Sequence, residues 1–461
     1  MREKNVFFRY RPLKIGGSKD LLDELKNREI FLATLEENND PMDGMQDVYW
    51  DGDEVIWRNF IRHYCLCLLN SYIYLSAAGD TQVFDAVCVN TQVTPEDAPI
   101  KEFAELFEYF LSLITKDEKI NDLTKILINQ RILHKDDLNA LFFYFNSFFL
   151  VLLKETIKEH LGYDALPGIE IMHEHTAKVN FNELFEKIDR DHLHVLSHIS
   201  IKTMQDLSLI AKYAYITETD HRSVSKENYI KFISFFPSYY LESSVKYMHS
   251  EYYVASFSEQ SDHASMWSHY AHGHRGVCLV FAFDEINGNY ILELEEGEKL
   301  TLHKVEYKDD PPKINVFENL GHLSMRKLES SWLTYGKDVS SLASKYRDSY
   351  PEKYWNRYIQ KVTHKFPDWG YENEYRVVKS SWLIGAQTKE QRLLHYKSKH
   401  LKGVIFGYRT PEDAQIKIIQ LMDRTLTNDQ KNNFNFFRTI YSPINKKLEV
   451  VKMSLLKFNT K

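Results

Sequence analysis

The residues best suited to chemistry stand in one short phrase, Tyr371-Glu372-Asn373-Glu374-Tyr375-Arg376. On an extended strand side chains alternate, so Glu372, Glu374 and Arg376 share one face and Tyr371, Asn373 and Tyr375 the other. Two carboxylates at that spacing repel unless something cationic or hydroxyl-bearing stands between them. The phrase reads either as a charge ladder, with Glu374 neutralised by Arg376 or Lys379 at a solvated edge, or as a working carboxylate pair.

A second dense phrase runs over residues 254–283. It holds Ser256-Phe257-Ser258, then Trp267 and Tyr270 one helical turn apart, then the polar turn His274-Arg275-Gly276. Trp267 and Tyr270 can wall a flat ring, and simple packing beneath the turn serves Trp267 equally well. His263, His269, His272 and His274 crowd twelve residues. Their spacing lacks the helical HExxH pattern and no cysteine joins them, so hydrogen-bonded or substrate-touching histidines are expected rather than a metal site. Asp40, in Asn39-Asp40-Pro41, either bonds local backbone amides in a turn, or orients Arg11 and touches a sugar hydroxyl.

The elements that must position these groups fall into blocks. Strands are predicted over 6–10 and 30–34, with a helix over 18–27 capped by Ser18 between them. Residues 51–246 change character to aromatic-rich helix with few glycines. Phe103, Leu106, Phe107, Phe110 and Ile114 recur at helical spacing, as do Tyr229, Ile230, Ile233 and Phe236. Strands return over 254–258, 276–281, 290–294, 375–378 and 403–406. The last leads into a helix opened by Thr410-Pro411-Glu412-Asp413, and the tail ends in a short helix and a hairpin around Pro443. The fold class expected is therefore α+β, a split mixed or antiparallel sheet domain interrupted by a large helical insertion. Its blocks are 1–50, the insertion 51–246, the remainder 247–425 and the C-terminal helix and hairpin 426–461.

Composition narrows the partners. With 58 basic and 65 acidic residues the net charge is −7, so nucleic acid and anionic membrane are not indicated. The start, MREKNVFFRYRPL, has no apolar core of signal-peptide length. Cys65, Cys67, Cys88 and Cys278 are too scattered for a disulfide framework or a zinc quartet, which fits a reducing cytoplasm. The uncharged run over 138–153 is shorter than the roughly 20 residues of a membrane span and contains Asn139, Asn146 and Ser147, so a buried helix is expected and no membrane.

Taken together, FFRYRPL (7–13), LDELKNREIFLATLEENNDPMDG (22–44), SFSEQSDHASMWSHYAHGHRGVCLVF, WGYENEYRVV and LKGVIFGYR (401–409) resemble a widespread bacterial family of uncharacterised domains. That family is marked by Ser-Glu, Trp-x-x-Tyr, His-x-Gly and Tyr-Glu-x-Glu-Tyr-Arg motifs. The resemblance covers about the first fifty residues and 252–409. A more distant likeness is to ADP-ribosyltransferases, whose Glu-x-Glu pair, Ser-x-Ser element and cofactor-holding arginine match Glu372 and Glu374, Ser256 and Ser258, and Arg9 or Arg11. It implies NAD as substrate and no metal. Glu374 would stabilise the oxocarbenium-like charge, Glu372 would position an acceptor or water, and the two serines would give support. Arg9, Arg11, Asp40, Trp267, Tyr270 and His274 would hold the dinucleotide. The expected activity is ADP-ribosyl transfer or NAD glycohydrolysis by a toxin-like effector in antiviral defence, with a protein partner or regulator at the helical insertion. Two other classes compete. One is a sensor module that binds a nucleotide or a phage component without chemistry. The other is a metal-dependent hydrolase or nuclease built on the histidine cluster with Asp262.

Overall fold

The computed structural model describes residues 5–15, 19–78, 83–98, 100–129, 132–162, 166, 169, 173–174, 223–246, 248, 251–320, 323–380, 388–456 and 458. The helical reading of 51–246 therefore falls in part outside the described residues, and so does Ser18.

The chain forms two units. The first gathers Met1–Gln46, Ser250–Pro312 and Asn356–Lys461; the second gathers Asp47–His249 and Lys313–Trp355. The fold is α+β, and the sheet of the first unit is assembled from all three of its chain segments.

That sheet has ten strands: β1 (Val6–Arg11), β2 (Tyr252–Ser258), β3 (Val277–Ala282), β4 (Asp284–Ile286), β5 (Asn289–Glu293), β6 (Lys299–Lys304), β7 (Glu374–Ser380), β8 (Leu401–Phe406), β9 (Asn435–Ser442) and β10 (Lys447–Lys452). Their spatial order is β10-β9-β8-β3-β1-β2-β7-β6-β5-β4. All neighbours are antiparallel except β8 and β9, which makes the sheet mixed. Phe7, Tyr253, Ala255, Phe257, Leu279, Phe281, Tyr375, Val377 and Val404 alternate onto one face and share a core with Leu21 and Leu25 of the helix Leu21–Asn27. Period-2 alternation thus carries one face onto this core, while on the opposite face Tyr10, Cys278, Val280 and Ile405 form a second apolar cluster and Ser256, Ser258, Glu374 and Arg376 supply the polar groups.

Several local outcomes have clear causes. Asp20 caps the helix Leu21–Asn27 by accepting from the Leu22 amide. The strand expected over 30–34 is instead Glu29–Phe31, because Thr34 breaks it by capping the short turn Leu35–Glu37 in a reciprocal capping box. At Gly276 an added Cβ would stand 2.2 Å from the carbonyl oxygen of Arg11, so only glycine lets β3 begin there against the end of β1. The tail hairpin forms β9 and β10 and completes one edge of the sheet.

The helical unit contains α1 (Glu54–Ala78), α2 (Lys101–Ile114), α3 (Glu118–Asn129), α4 (Lys135–Leu161) and α5 (Ser223–Lys246). Its core is aromatic, with Trp57, Phe60, Tyr64, Phe142, Phe149 and Phe236 all at 1 % exposure or less. By length and composition α4 alone among the described helices is apolar enough to cross a membrane, and 67 % of its most apolar stretch is buried in protein. Asn146 sits inside that stretch because its side chain is satisfied twice. It accepts from the Tyr64 hydroxyl at 2.9 Å and donates to the Ile233 carbonyl at 2.8 Å.

Candidate active site

Three adjacent strands bring the charged phrases together. β1 carries Arg9 and Arg11, β2 carries Ser256 and Ser258, and β7 begins with Glu374, which stands opposite Ser258 in register. One cavity of about 200 Å3 opens at these strands, and Arg9, Arg11, Ser256, Ser258, Glu372 and Glu374 all line it, although alternation sets Arg9 and Arg11 on the Phe7 face and the serines and Glu374 on the other.

The two glutamates do not reach it as expected. Only Glu374 lies on the strand. Glu372 ends the tight turn Pro367–Glu372, and Asn373 takes a left-handed conformation at φ 43° before the strand starts. The turn replaces alternation, yet both carboxylates still meet at a single cation. Lys365 Nζ lies 2.7 Å from Glu372 Oε2 and 3.3 Å from Glu374 Oε2, with all three side chains at 5 % exposure or less. Lys365 belongs to the two-residue strand His364–Lys365, pinned in parallel to Glu306–Tyr307, and its ammonium also stands 4.8 Å from the ring centre of Trp369.

Beyond Glu374 the ion pairs continue. Arg376 is fully buried and donates to both Glu374 oxygens, Nε at 2.8 Å and Nη2 at 3.0 Å. It forks onto Asp43 at 2.8 and 2.7 Å and donates to the Val362 carbonyl at 2.7 Å. Charges buried to this degree persist only when paired and hydrogen-bonded, and here each is. Ser258 donates to the Glu372 carbonyl oxygen at 2.6 Å, and its own oxygen accepts from the Gln260 amide, which fixes the turn that delivers Glu372.

The network drives the two carboxyls apart. Burial raises the Glu372 carboxyl above the usual range, and Glu374 nearby adds to it against the pull of Lys365 and the Tyr270 hydroxyl. Burial would also raise Glu374, but Arg376 and Lys365, with hydrogen bonds from Arg376 and Ser256, hold it down at about 2. Lys365 loses some basicity to burial and regains more from Glu374 and Glu372, so it stays charged. A fixed anion beside a proton-exchanging carboxyl is the pattern that separates electrostatic from acid–base roles.

The remaining walls are mixed. Tyr270 donates its hydroxyl to Glu372 Oε1, lies 3.1 Å from Asn39 Oδ1 and lines the cavity. Arg9 gives one nitrogen to the Ser256 carbonyl at 3.1 Å and another to the Phe31 carbonyl at 3.3 Å, while its Nε is buried with no partner among the described residues. Burial and the neighbouring Arg11 lower its pKa to about 10. Arg11 is held by Glu24 at 3.1 and 2.5 Å.

Three sequence candidates stand elsewhere. Trp267 is wholly buried, bonded to the Ser261 carbonyl at 2.8 Å and packed edge-on to Tyr10, so it is core beneath the turn and not a wall. Asp40 is buried and accepts from the Met42 amide at 2.9 Å in its own turn; Arg11 is engaged by Glu24 instead. His274 lies in a left-handed turn with its ring stacked over Trp267, outside the cavity lining. The histidines do not converge either. His263 stacks on Tyr371 and His269 packs against Tyr270, and no group of three or more metal-ligating side chains comes together among the described residues.

Two partners were missed in the sequence. Asp43 lies within the quoted 22–44 phrase, three residues past Asp40, and Lys365 within 362–369. The signal for Asp43 is Arg376, since an arginine flanked by Tyr375, Val377 and Val378 sits in a buried strand and demands counter-charge; the signal for Lys365 is the glutamate pair, which demands a cation without saying which.

Residues 266–377 match a family model described as a protein of unknown function, DUF2971. The chain is similar to that family over this stretch. It includes Tyr270, Lys365, Glu372, Glu374 and Arg376, and it leaves out the residues that β1 and β2 contribute. No curated protein and no solved structure matches the chain.

Proposed function

We propose that the sheet unit is an NAD-consuming enzyme that breaks the bond between nicotinamide and ribose and passes ADP-ribose to water or another acceptor. The observation that carries this reading is the convergence of arginines, serines and glutamates from three neighbouring strands, and from the turn before the last of them, on one cavity. The cavity, about 200 Å3, is below the size of pockets that enclose whole drug-sized ligands, so it takes the reacting end of the dinucleotide. In this reading nicotinamide leaves with the electron pair of the broken bond, and positive charge grows on the ribose. Glu374, held ionised, offsets that charge electrostatically. Glu372, whose affinity for a proton is raised, takes the proton from the attacking water or acceptor hydroxyl. Arg9 and Arg11 face the diphosphate, Ser256 steadies Glu374, and Tyr270 supplies the aromatic edge that was expected of Trp267. A cytoplasmic, toxin-like effector of antiviral defence, with the helical unit as the place for a partner or regulator, is the setting such an activity suits.

One observation favours a second reading. Both oxygens of Glu374 are already engaged by Arg376, which suits a binding module whose carboxylates are structural. Incubating wild type, Glu374→Gln and Glu372→Gln with NAD, and following nicotinamide release and labelled ADP-ribose, separates the two. Turnover that falls at least a hundredfold in both folded variants is expected. NAD that protects the wild type against heat without any product assigns the site to binding. Unchanged turnover in Glu374→Gln removes the central role.

A further inference from the structure

The helical unit contains a second cavity, of about 400 Å3, which is within the range of ordinary small-ligand pockets. Its floor is apolar, formed by the buried side chains of Ile61, Ile114 and Ile120. Arg58 and Arg62, one helical turn apart on α1, stand at its wall.

Neither arginine is neutralised by a buried partner. Arg58 lies 5.8 Å over the ring of Tyr335 and pairs with Glu54, which is 57 % exposed. Arg62 meets Glu108 at 3.7 Å, too far for a strong hydrogen bond, and Glu108 is 67 % exposed. The Arg62 Nε is buried with no hydrogen-bond partner among the described residues. An anion entering the cavity would find a donor fork that solvent-screened glutamates hold only weakly.

The hydroxyls add a second requirement. Ser112, Thr115, Thr124 and Thr334 line the cavity, and each donates its proton to a backbone carbonyl, of Tyr109, Ser112, Ile120 and Glu329 respectively. Their oxygens are left as acceptors. A ligand must therefore bring hydroxyl or amino donors as well as negative charge, and a flat or apolar surface for the isoleucine floor and Tyr335. The one π-helical turn among the described residues, Glu329–Leu333, contributes Ser330 to the same wall, and such turns recur at functional sites.

From these demands we infer that this cavity binds a nucleoside monophosphate. The phosphate takes the fork of Arg62, the base lies along the isoleucine floor beside Tyr335, and the sugar and base donors meet the threonine and serine oxygens. The inference is independent of the proposed NAD chemistry.

Calorimetric titration of the full chain with AMP, adenosine and inorganic phosphate at low salt tests it. Saturable AMP binding is expected, with adenosine and phosphate each at least tenfold weaker. Arg62→Ala and Tyr335→Ala should each weaken AMP roughly tenfold, and Arg62→Lys should restore part of the loss, since charge survives without the fork. Both positions are partly exposed, so the variants should keep the wild-type melting profile. Absence of saturable AMP binding in the wild type overturns the inference, and so does binding that neither alanine variant weakens. Nicotinamide release measured in the same variants reports on the sheet unit alone.

Discussion

Replacing Lys365 with methionine removes the ammonium between two buried carboxylates and keeps most of the side-chain volume. At an effective dielectric constant of about 20 its attractions at 2.7 and 3.3 Å are about 6 and 5 kcal/mol before desolvation. Breaking a buried ion pair by deleting one partner costs, net, roughly 3–5 kcal/mol. For a unit of this size that lowers the melting temperature by roughly 6–20 °C. The pH dependence carries the sharper information. Glu374 keeps Arg376, but Glu372 loses its only cation among the described partners, so its folded-state pKa, already raised by burial, rises further. A carboxyl whose folded pKa lies above the unfolded one stabilises the fold below the unfolded pKa, and that contribution is lost as pH rises through the folded value. The variant's deficit should therefore be largest near about pH 8 and shrink towards about pH 5. Lys365→Met combined with Glu372→Gln should recover more than half of the loss, because no buried charge then lacks a partner. Thermal melts of the three proteins at both pH values decide the matter. A deficit equal at both, with no recovery in the double variant, would refute the coupling drawn between Lys365 and Glu372.

Two further outcomes follow from the geometry. In Tyr270→Phe the Glu372 carboxylate loses a hydroxyl donor, so the acid limb of nicotinamide release, governed by a base that must be ionised, should move to higher pH while the melting temperature stays close to wild type; an unmoved limb would detach Tyr270 from the reaction. Gly276→Ala places a Cβ 2.2 Å from the Arg11 carbonyl and 3.1 Å from the Ala271 Cα, both backbone, so a loss of roughly 3 kcal/mol is expected, at the upper end for overpacking, and a melt indistinguishable from wild type would refute the close approach.

Much of the site was legible because strand chemistry is local. The strands Val6–Arg11 and Tyr252–Ser258 were expected close to where they form, and the resemblance to ADP-ribosyltransferases named Arg9, Ser256 and Ser258 on them. What was not legible depends on distant pairing. Lys365 lies on a two-residue strand whose position is set by Glu306–Tyr307, and nothing within its own neighbourhood marks it as a bridge. Trp267 misleads for the same reason. Its helical spacing from Tyr270 is real, but Tyr10 and the Ser261 carbonyl, supplied by other segments, turn it into the core. Glu372 reaches the cavity by another backbone route, since a left-handed Asn373 does what strand alternation was expected to do.

The order of strands also has a consequence in time. β1 precedes every other strand of its sheet, yet its neighbours are β2 and β3, and Glu374 comes 365 positions after Arg9. At synthesis rates of about 5–20 residues per second, that is a wait of roughly 20–70 s. Until β2 emerges, Phe7 and Phe8 of β1 have neither neighbouring strand to pair with, and the cavity is incomplete until Glu374 has been made. A nascent or truncated chain ending before residue 372 lacks both carboxylates, so whatever this site does begins only once the turn Pro367–Glu372 and the start of β7 have been made.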